Sequence, residues 1–247
     1  SPNESVLAAP ARKTPFFGRD RELDLLLTLL GDSIQEERAR AVVIVGEAGV
    51  GKSRLSLEFL RRAQLRHEHI LLWTAQGDAL STSSPFGLLA QSVRRIMALR
   101  DDEASAQAQL AAFVAKRVPA SEQPRVREFL SELLALSPRS TQNSEPASPA
   151  LAAARLDPQL MGDQIRRAVL DLLEGECRQQ PVVWILEDLQ WGDQPTVRLI
   201  DLALRQLSEK PFFVVALARP NLHDVFPRLW EGRDVQEVRL STLPRKA

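Results

Sequence analysis

Cysteine is nearly missing from this chain: Cys177 is the only one among 247 residues. A single thiol excludes an internal disulfide and a cysteine-based metal cluster, and it fits a reducing cytoplasm. With Leu172 and Leu173 beside it, Cys177 is expected to be a small buried apolar residue. Net charge is missing as well, with 32 basic residues against 32 acidic ones. That balance excludes a bulk electrostatic footprint for nucleic acid or membrane, though not a local patch. No apolar run reaches the roughly 18 residues of a membrane span, and the first residues lack the core of a signal peptide. No segment of about 20–50 residues repeats. His67 and His69 lack metal partners at helical spacing. Tyrosine is absent, and that absence excludes nothing.

What is there is ordinary globular material. Hydrophobic residues make up 44% and charged residues 26%, so the length suits one large α/β domain or two small ones. Residues 1–14 are small, polar and proline-containing and read as a linker from a longer protein. Residues 20–30 place Leu23, Leu26, Leu27 and Leu30 on one helical face, with Gly31 as the stop. Apolar runs at 41–45, 69–74, 182–186 and 212–218 read as four strands, and residues 235–240 as a fifth. Helices are predicted over 54–66, 163–178 and 196–207, with a pair over 101–136 broken near Pro119. A polar loop over 80–84 precedes one more helix, which Pro85 is placed to start. Residues 137–149 (SPRSTQNSEPASP) are the most disorder-like stretch inside the chain. Strands alternating with helices imply an α/β fold with a parallel sheet covered on both faces, whose ligands bind beyond the carboxyl ends of the strands.

Residues 46–53, GEAGVGKS, satisfy the phosphate-binding pattern G-x-x-x-x-G-K-S/T in full. A buried strand runs into them and an amphipathic helix leaves, with Leu55, Phe59, Leu60 and Ala63 on one face. Gly46, Gly49 and Gly51 let the backbone N–H groups of Gly46, Glu47, Ala48, Gly49, Val50, Gly51, Lys52, Ser53 and Arg54 turn toward a polyphosphate. The helix start adds its free donors and positive dipole end. Lys52 is expected to reach the β- and γ-phosphates, and Ser53 to ligate Mg²⁺. The third strand delivers Glu187 and Asp188. Position along the strand assigns Glu187 to Mg²⁺ and Asp188 to activation of the attacking water.

Further candidates follow in the chain. Asp193 either caps the helix at Pro195 or reaches toward the metal shell, and Trp191 reads as packing. Arg219, at the end of the fourth strand, reads as a γ-phosphate sensor in preference to a surface ion pair. Phe16, Phe17, Gly18 and Arg19 precede the first helix, and taken alone they read as a hydrophobic staple. Arg61, Arg62 and Arg66 read as a solvated helix face, and His223 as part of a helix start.

Taken in order, FFGRDREL, GEAGVGKS, WILEDLQWGD and ALARP resemble the signal-transduction ATPases with numerous domains (STAND), a branch of the AAA-type P-loop ATPases. The likeness runs from Pro15 to the C-terminus. LMGDQIRRA, WGDQPTVRLID and VQEVRLSTLPRKA make it closest to the ATPase module of large bacterial hybrid serine/threonine kinases. The resemblance implies a three-layer P-loop fold with a five-stranded parallel sheet over 15–247, ATP and Mg²⁺ as cofactors, and a switch driven by ATP. It implies adenine-side contacts from Phe17, Gly18 and Arg19. It implies partners in the kinase and helical-repeat domains of the same polypeptide, self-association, and a cytoplasmic location. Two departures stand out. The family's usual histidine is Gln190 here, and the helical lid that follows the core in the family is not among these residues. The fragment is therefore expected to turn ATP over slowly. No kinase signature occurs, so the chain itself is not expected to phosphorylate protein. A nucleotide-binding scaffold with little hydrolysis, or the ATPase module of a transcription activator or nucleotide cyclase, are the alternatives.

Overall fold

Five parallel strands in the order β2-β3-β4-β1-β5 form the centre of the computed structural model, which describes residues 17–79, 84–99, 103–136 and 147–242. The expected linker over 1–14, most of the loop over 80–84 and residues 137–146 of the disorder-like stretch lie outside the described residues. In chain order the elements are α1 (Asp20–Gln35), β1 (Arg40–Gly46), α2 (Lys52–Arg66), β2 (Leu71–Gln76), α3 (Gly87–Met97), α4 (Glu103–Ala115), α5 (Gln123–Leu133), α6 (Pro149–Leu156), α7 (Pro158–Cys177), β3 (Val182–Glu187), a 3-10 turn (Leu189–Trp191), α8 (Gln194–Gln206), β4 (Phe212–Ala218), α9 (Leu222–Val225) and β5 (Val235–Leu240).

The period of two along each strand splits the core into two. Val42, Ile44, Phe213, Val215 and Leu217 face α1 and α2, together with Leu23, Leu26, Leu55 and Phe59. Val43, Val45, Phe212, Val214 and Ala216 face the other way, toward α3, α7 and α8. Both faces are apolar because helices cover both, and the inner strands therefore read as unbroken hydrophobic runs. β4 is buried along its whole length, whereas β5 keeps exposed residues as an edge strand does.

Several boundaries differ from those expected. α1 continues through Gly31 to Gln35, since Leu30 and the buried Ser33 maintain its inner face and nothing requires a stop. β2 lies two residues further on, where Leu71 pairs with Val182 and Gln76 with Glu187. α6 was not anticipated. Ser148 caps it by accepting from the Leu151 N–H at 3.1 Å, and Pro149 is its first residue, so the end of the 137–149 stretch is helical. Asp157 caps α7 in the same way, which starts that helix at Pro158. Cys177 is buried as expected, and burial pushes its thiol pKa up to about 12. Arg61 and Arg62 pair with Glu58 on the outer side of α2.

Gly175 in α7 sits against the chain just after α4. A Cβ there would lie 2.0 Å from the Arg117 carbonyl oxygen, while the Arg117 side chain pairs with the buried Glu176. At Gly31 an added Cβ would meet nothing within 4 Å. The same substitution therefore has opposite signs. Gly175→Ala is expected to destabilise by about 2–3 kcal/mol through overpacking, and Gly31→Ala to stabilise by roughly 0.5–1 kcal/mol. Thermal unfolding of the two variants checks this, and a Gly175→Ala melting point equal to that of the parent protein contradicts it.

Candidate functional site

The strand order decides what meets at the carboxyl edge of the sheet. β4 lies between β1 and β3, pairing Ala218 with Val45 on one side and Ala216 with Leu186 on the other. Arg219, which follows β4, therefore emerges between the phosphate loop after β1 and the acidic pair closing β3. These segments are far apart in sequence, and the parallel sheet alone brings them together.

The loop conformation follows from its glycines. Gly49 and Gly51 have φ of 77° and 101°, in the left-handed region that side chains disfavour. Gly51 is also the cap from which α2 begins, so the free N–H groups of the first helical turn lie beside the loop. Lys52 is buried and donates to the carbonyl oxygens of Gly46 at 2.7 Å and Glu47 at 2.9 Å, which holds its ammonium across the loop. Burial pushes the pKa of that ammonium below the ordinary lysine value. Asp188 and Glu47 oppose the shift by attraction, and Arg219 adds to it by repulsion. Asp188 and Arg219 are thus both within electrostatic reach of Lys52.

Ser53 Oγ donates to Glu187 Oε2 at 2.8 Å. This places a hydroxyl and a carboxylate oxygen side by side at the mouth of the loop. Two hard oxygens, with the remaining ligands from water and phosphate, fit Mg²⁺, which seldom uses an all-protein cage. Among the described residues no cluster of three or more His, Cys, Asp or Glu side chains could hold a metal by itself.

Asp188 turns the chain with φ of 52°. One of its carboxylate oxygens accepts from Gln190 Nε2 at 3.1 Å and the other from Gln76 Nε2 at 3.4 Å. Gln190 is buried, and its Oε1 accepts the Arg219 backbone N–H at 3.0 Å. Gln190 therefore ties the acidic pair to the end of β4. Gln76 was missed by sequence reasoning. The available signal was a polar residue ending an apolar strand, in register with Glu187.

Asp193 adopts the capping reading. Its carboxylate accepts from Thr196 N and Thr196 Oγ1 in α8, and from Phe86 N at 3.0 Å and Leu88 N at 3.1 Å at the start of α3. Phe86, with φ of 61°, displaces Pro85 as the start of that helix. Asp193→Ala would strand these buried donors, so a loss of about 2–3 kcal/mol is expected. Equal unfolding midpoints in a urea titration of the two proteins would contradict it.

The segment before α1 divides. Phe17 is 72% exposed, and Gly18 has φ of 74°. Arg19 is buried and donates to Val50 O, Ser241 O and Glu22. It fastens α1 to the back of the phosphate loop and to the chain beyond β5. Arg219 itself is exposed at the sheet edge. A separate groove of about 740 Å³ beside α8, lined by Arg166, Arg198, Leu202, Phe226 and Trp230 among others, shares no residue with this site. No described helix is long and apolar enough to cross a membrane.

Comparison with known proteins gives three findings. The sequence model of the AAA ATPase domain family matches residues 15–215. An uncharacterized protein of Rhizobium meliloti (strain 1021) is 28% identical over 208 residues, which are 84% of this chain and 19% of that protein. The chain thus spans about a fifth of that relative's length. The structure of VirB4 of Thermoanaerobacter pseudethanolicus overlaps 82% of this chain and 77% of its own, at 10% identity and a TM-score of 0.30.

Proposed function

The chain belongs to the AAA ATPase domain family, and from that premise we propose that it binds and hydrolyses Mg-ATP as the switch module of a larger signalling protein. Lys52 and the loop N–H groups hold the β- and γ-phosphates. Ser53 and Glu187 would hold Mg²⁺, which would supply positive charge to the phosphate oxygens. Asp188 accepts the proton of the attacking water, and Arg219 meets the γ-phosphate. Gly46–Arg54 form the phosphate side of the site, and the exposed Phe17 with Gly18 and Arg19 the adenine side.

The observation that carries this reading is the placement of Lys52, the Ser53–Glu187 pair, Asp188 and Arg219 along one edge of the sheet, around β4. The STAND-type role rests on the motif order, and fusion to a serine/threonine kinase on the closer likeness of LMGDQIRRA, WGDQPTVRLID and VQEVRLSTLPRKA. In that arrangement the nucleotide state biases contacts with kinase and helical-repeat domains of the same polypeptide or with further copies, as switch loops do. Phosphate release from Mg-ATP tests the reaction. A rate above that of buffer which disappears on chelation of Mg²⁺ supports it. Tight binding with no release would make the chain a nucleotide-dependent scaffold instead.

A further inference from the structure

The ladder between β4 and β3 ends at the Ala216–Leu186 pair, and the Arg219 N–H beyond it is met by a side chain. That side chain is Gln190, 2% exposed, whose two amide ends have different partners. A carboxylate can only accept, so the Nε2 end faces Asp188. A backbone N–H can only donate, so the Oε1 end faces Arg219. The orientation of the amide is therefore unique, and reversing it would break both bonds. Gln190 also sits in the short 3-10 turn directly after Asp188, whose backbone is in the left-handed region. One rigid planar group thus spans the turn that carries the base and the strand that carries the arginine.

We propose that Gln190 is a positioning residue that holds the Asp188 carboxylate and the Arg219 backbone as one unit, so that base and γ-phosphate sensor are set together. This rests on the roles proposed above for Asp188 and Arg219. Gln190 touches neither phosphate nor metal in this scheme. It sets where Asp188 points and where Arg219 begins, and a shift at one is passed to the other. Displacements of this kind fall on turnover more than on binding, because phosphate affinity resides in the loop and Lys52.

Two substitutions separate the ends of the bridge. Gln190→Leu removes both hydrogen bonds with little change of volume. Gln190→Glu keeps an acceptor for the Arg219 N–H but sets a second carboxylate against Asp188. Steady-state kinetics with Mg-ATP, referred to the folded fraction from circular dichroism, is paired with hydrogen exchange of the Arg219 amide. Both variants are expected to lose about 10–100-fold in kcat, with KM for Mg-ATP within about threefold of the parent value. Only Gln190→Leu should speed exchange at the Arg219 amide. Unchanged kcat per folded molecule in either variant overturns the proposal, as does a loss confined to KM or to melting temperature. If Gln190→Leu does not fold, Gln190→Glu alone decides. An unmodified chain that binds Mg-ATP without turnover defeats the hydrolysis reading itself, an outcome distinct from an active parent with an equally active Gln190→Leu.

Discussion

Lys52→Ala is expected to weaken Mg-ATP binding by about 10²–10⁴-fold, equivalent to roughly 3–6 kcal/mol for two charge-assisted hydrogen bonds. The ammonium is already at the loop, held by the carbonyl oxygens of Gly46 and Glu47. It is buried, so water offers a poor substitute for its charge. The donors left behind are backbone N–H groups and the exposed Arg219, which replace neither its position nor its full charge. Folding should suffer far less. The two carbonyls lose one shared donor, worth about 1 kcal/mol, and the apolar contacts of α2 through Leu55, Phe59 and Leu60 stay in place. Calorimetry with ATP and excess Mg²⁺ measures the affinity. A variant that melts like the parent protein and binds with the same Kd would remove Lys52 from the site.

The second large effect is a separation between the two acids. Asp188→Asn is expected to slow hydrolysis by about 10²–10⁴-fold, the usual value of a general base, while ATP affinity stays within about threefold. The geometry favours a clean result, because an asparagine oxygen can still accept from Gln190 Nε2 and only the basicity is lost. Glu187→Gln acts on the metal instead. Its remaining carbonyl oxygen can accept from Ser53 Oγ, but the negative charge beside that hydroxyl disappears. The Mg²⁺ concentration for half-maximal turnover should rise by at least about tenfold, as expected when a charged ligand becomes neutral. Phosphate-release assays across a Mg²⁺ series read both. Equal loss of ATP binding in the two variants would show that the acids act together and that the division of roles is wrong.

Residues 212–218 were legible as a strand to their last residue, because a wholly apolar run between turn residues has few other uses, and the bounds read for 235–240 also match those of β5. The phosphate loop was legible because its glycines, lysine and serine lie next to one another. The start of α3 was not. Pro85 is a good first helical residue, but Asp193, more than a hundred residues away, captures the N–H groups of Phe86 and Leu88 and moves the start. Asp193 itself was an open choice between cap and metal shell until its partners were visible. α6 was hidden by composition, since Ser148 and Pro149 form a good helix start but end a run of polar and small residues. At Gly31 the local stop signal lost to continued packing of the leucine face.

That the phosphate loop, the acidic pair and Arg219 share one edge was legible from their strand ends; the strand order that joins them was not. Glu187 and Asp188 could be placed at a strand end, and Arg219 at another. That β4 lies between β1 and β3 depends on the pairing of whole strands, which no local pattern reports. The link from Gln190 to both Asp188 and the Arg219 backbone spans 29 residues on its far side and becomes visible only once those strands are adjacent. Gln76 was overlooked for the same reason, as its meaning comes from its register with Glu187.

The central claim is that these residues serve one Mg-nucleotide, and a crystal structure with Mg²⁺ and a non-hydrolysable ATP analogue tests it most directly. The account predicts the triphosphate inside the 46–53 loop, with Mg²⁺ on Ser53 Oγ and Glu187 on that metal or on its water. It also predicts Lys52 Nζ turned from the carbonyls of Gly46 and Glu47 to the phosphates, and Arg219 at the γ-phosphate. A triphosphate bound elsewhere, or one in the loop with the metal away from Ser53 and Glu187, would contradict it.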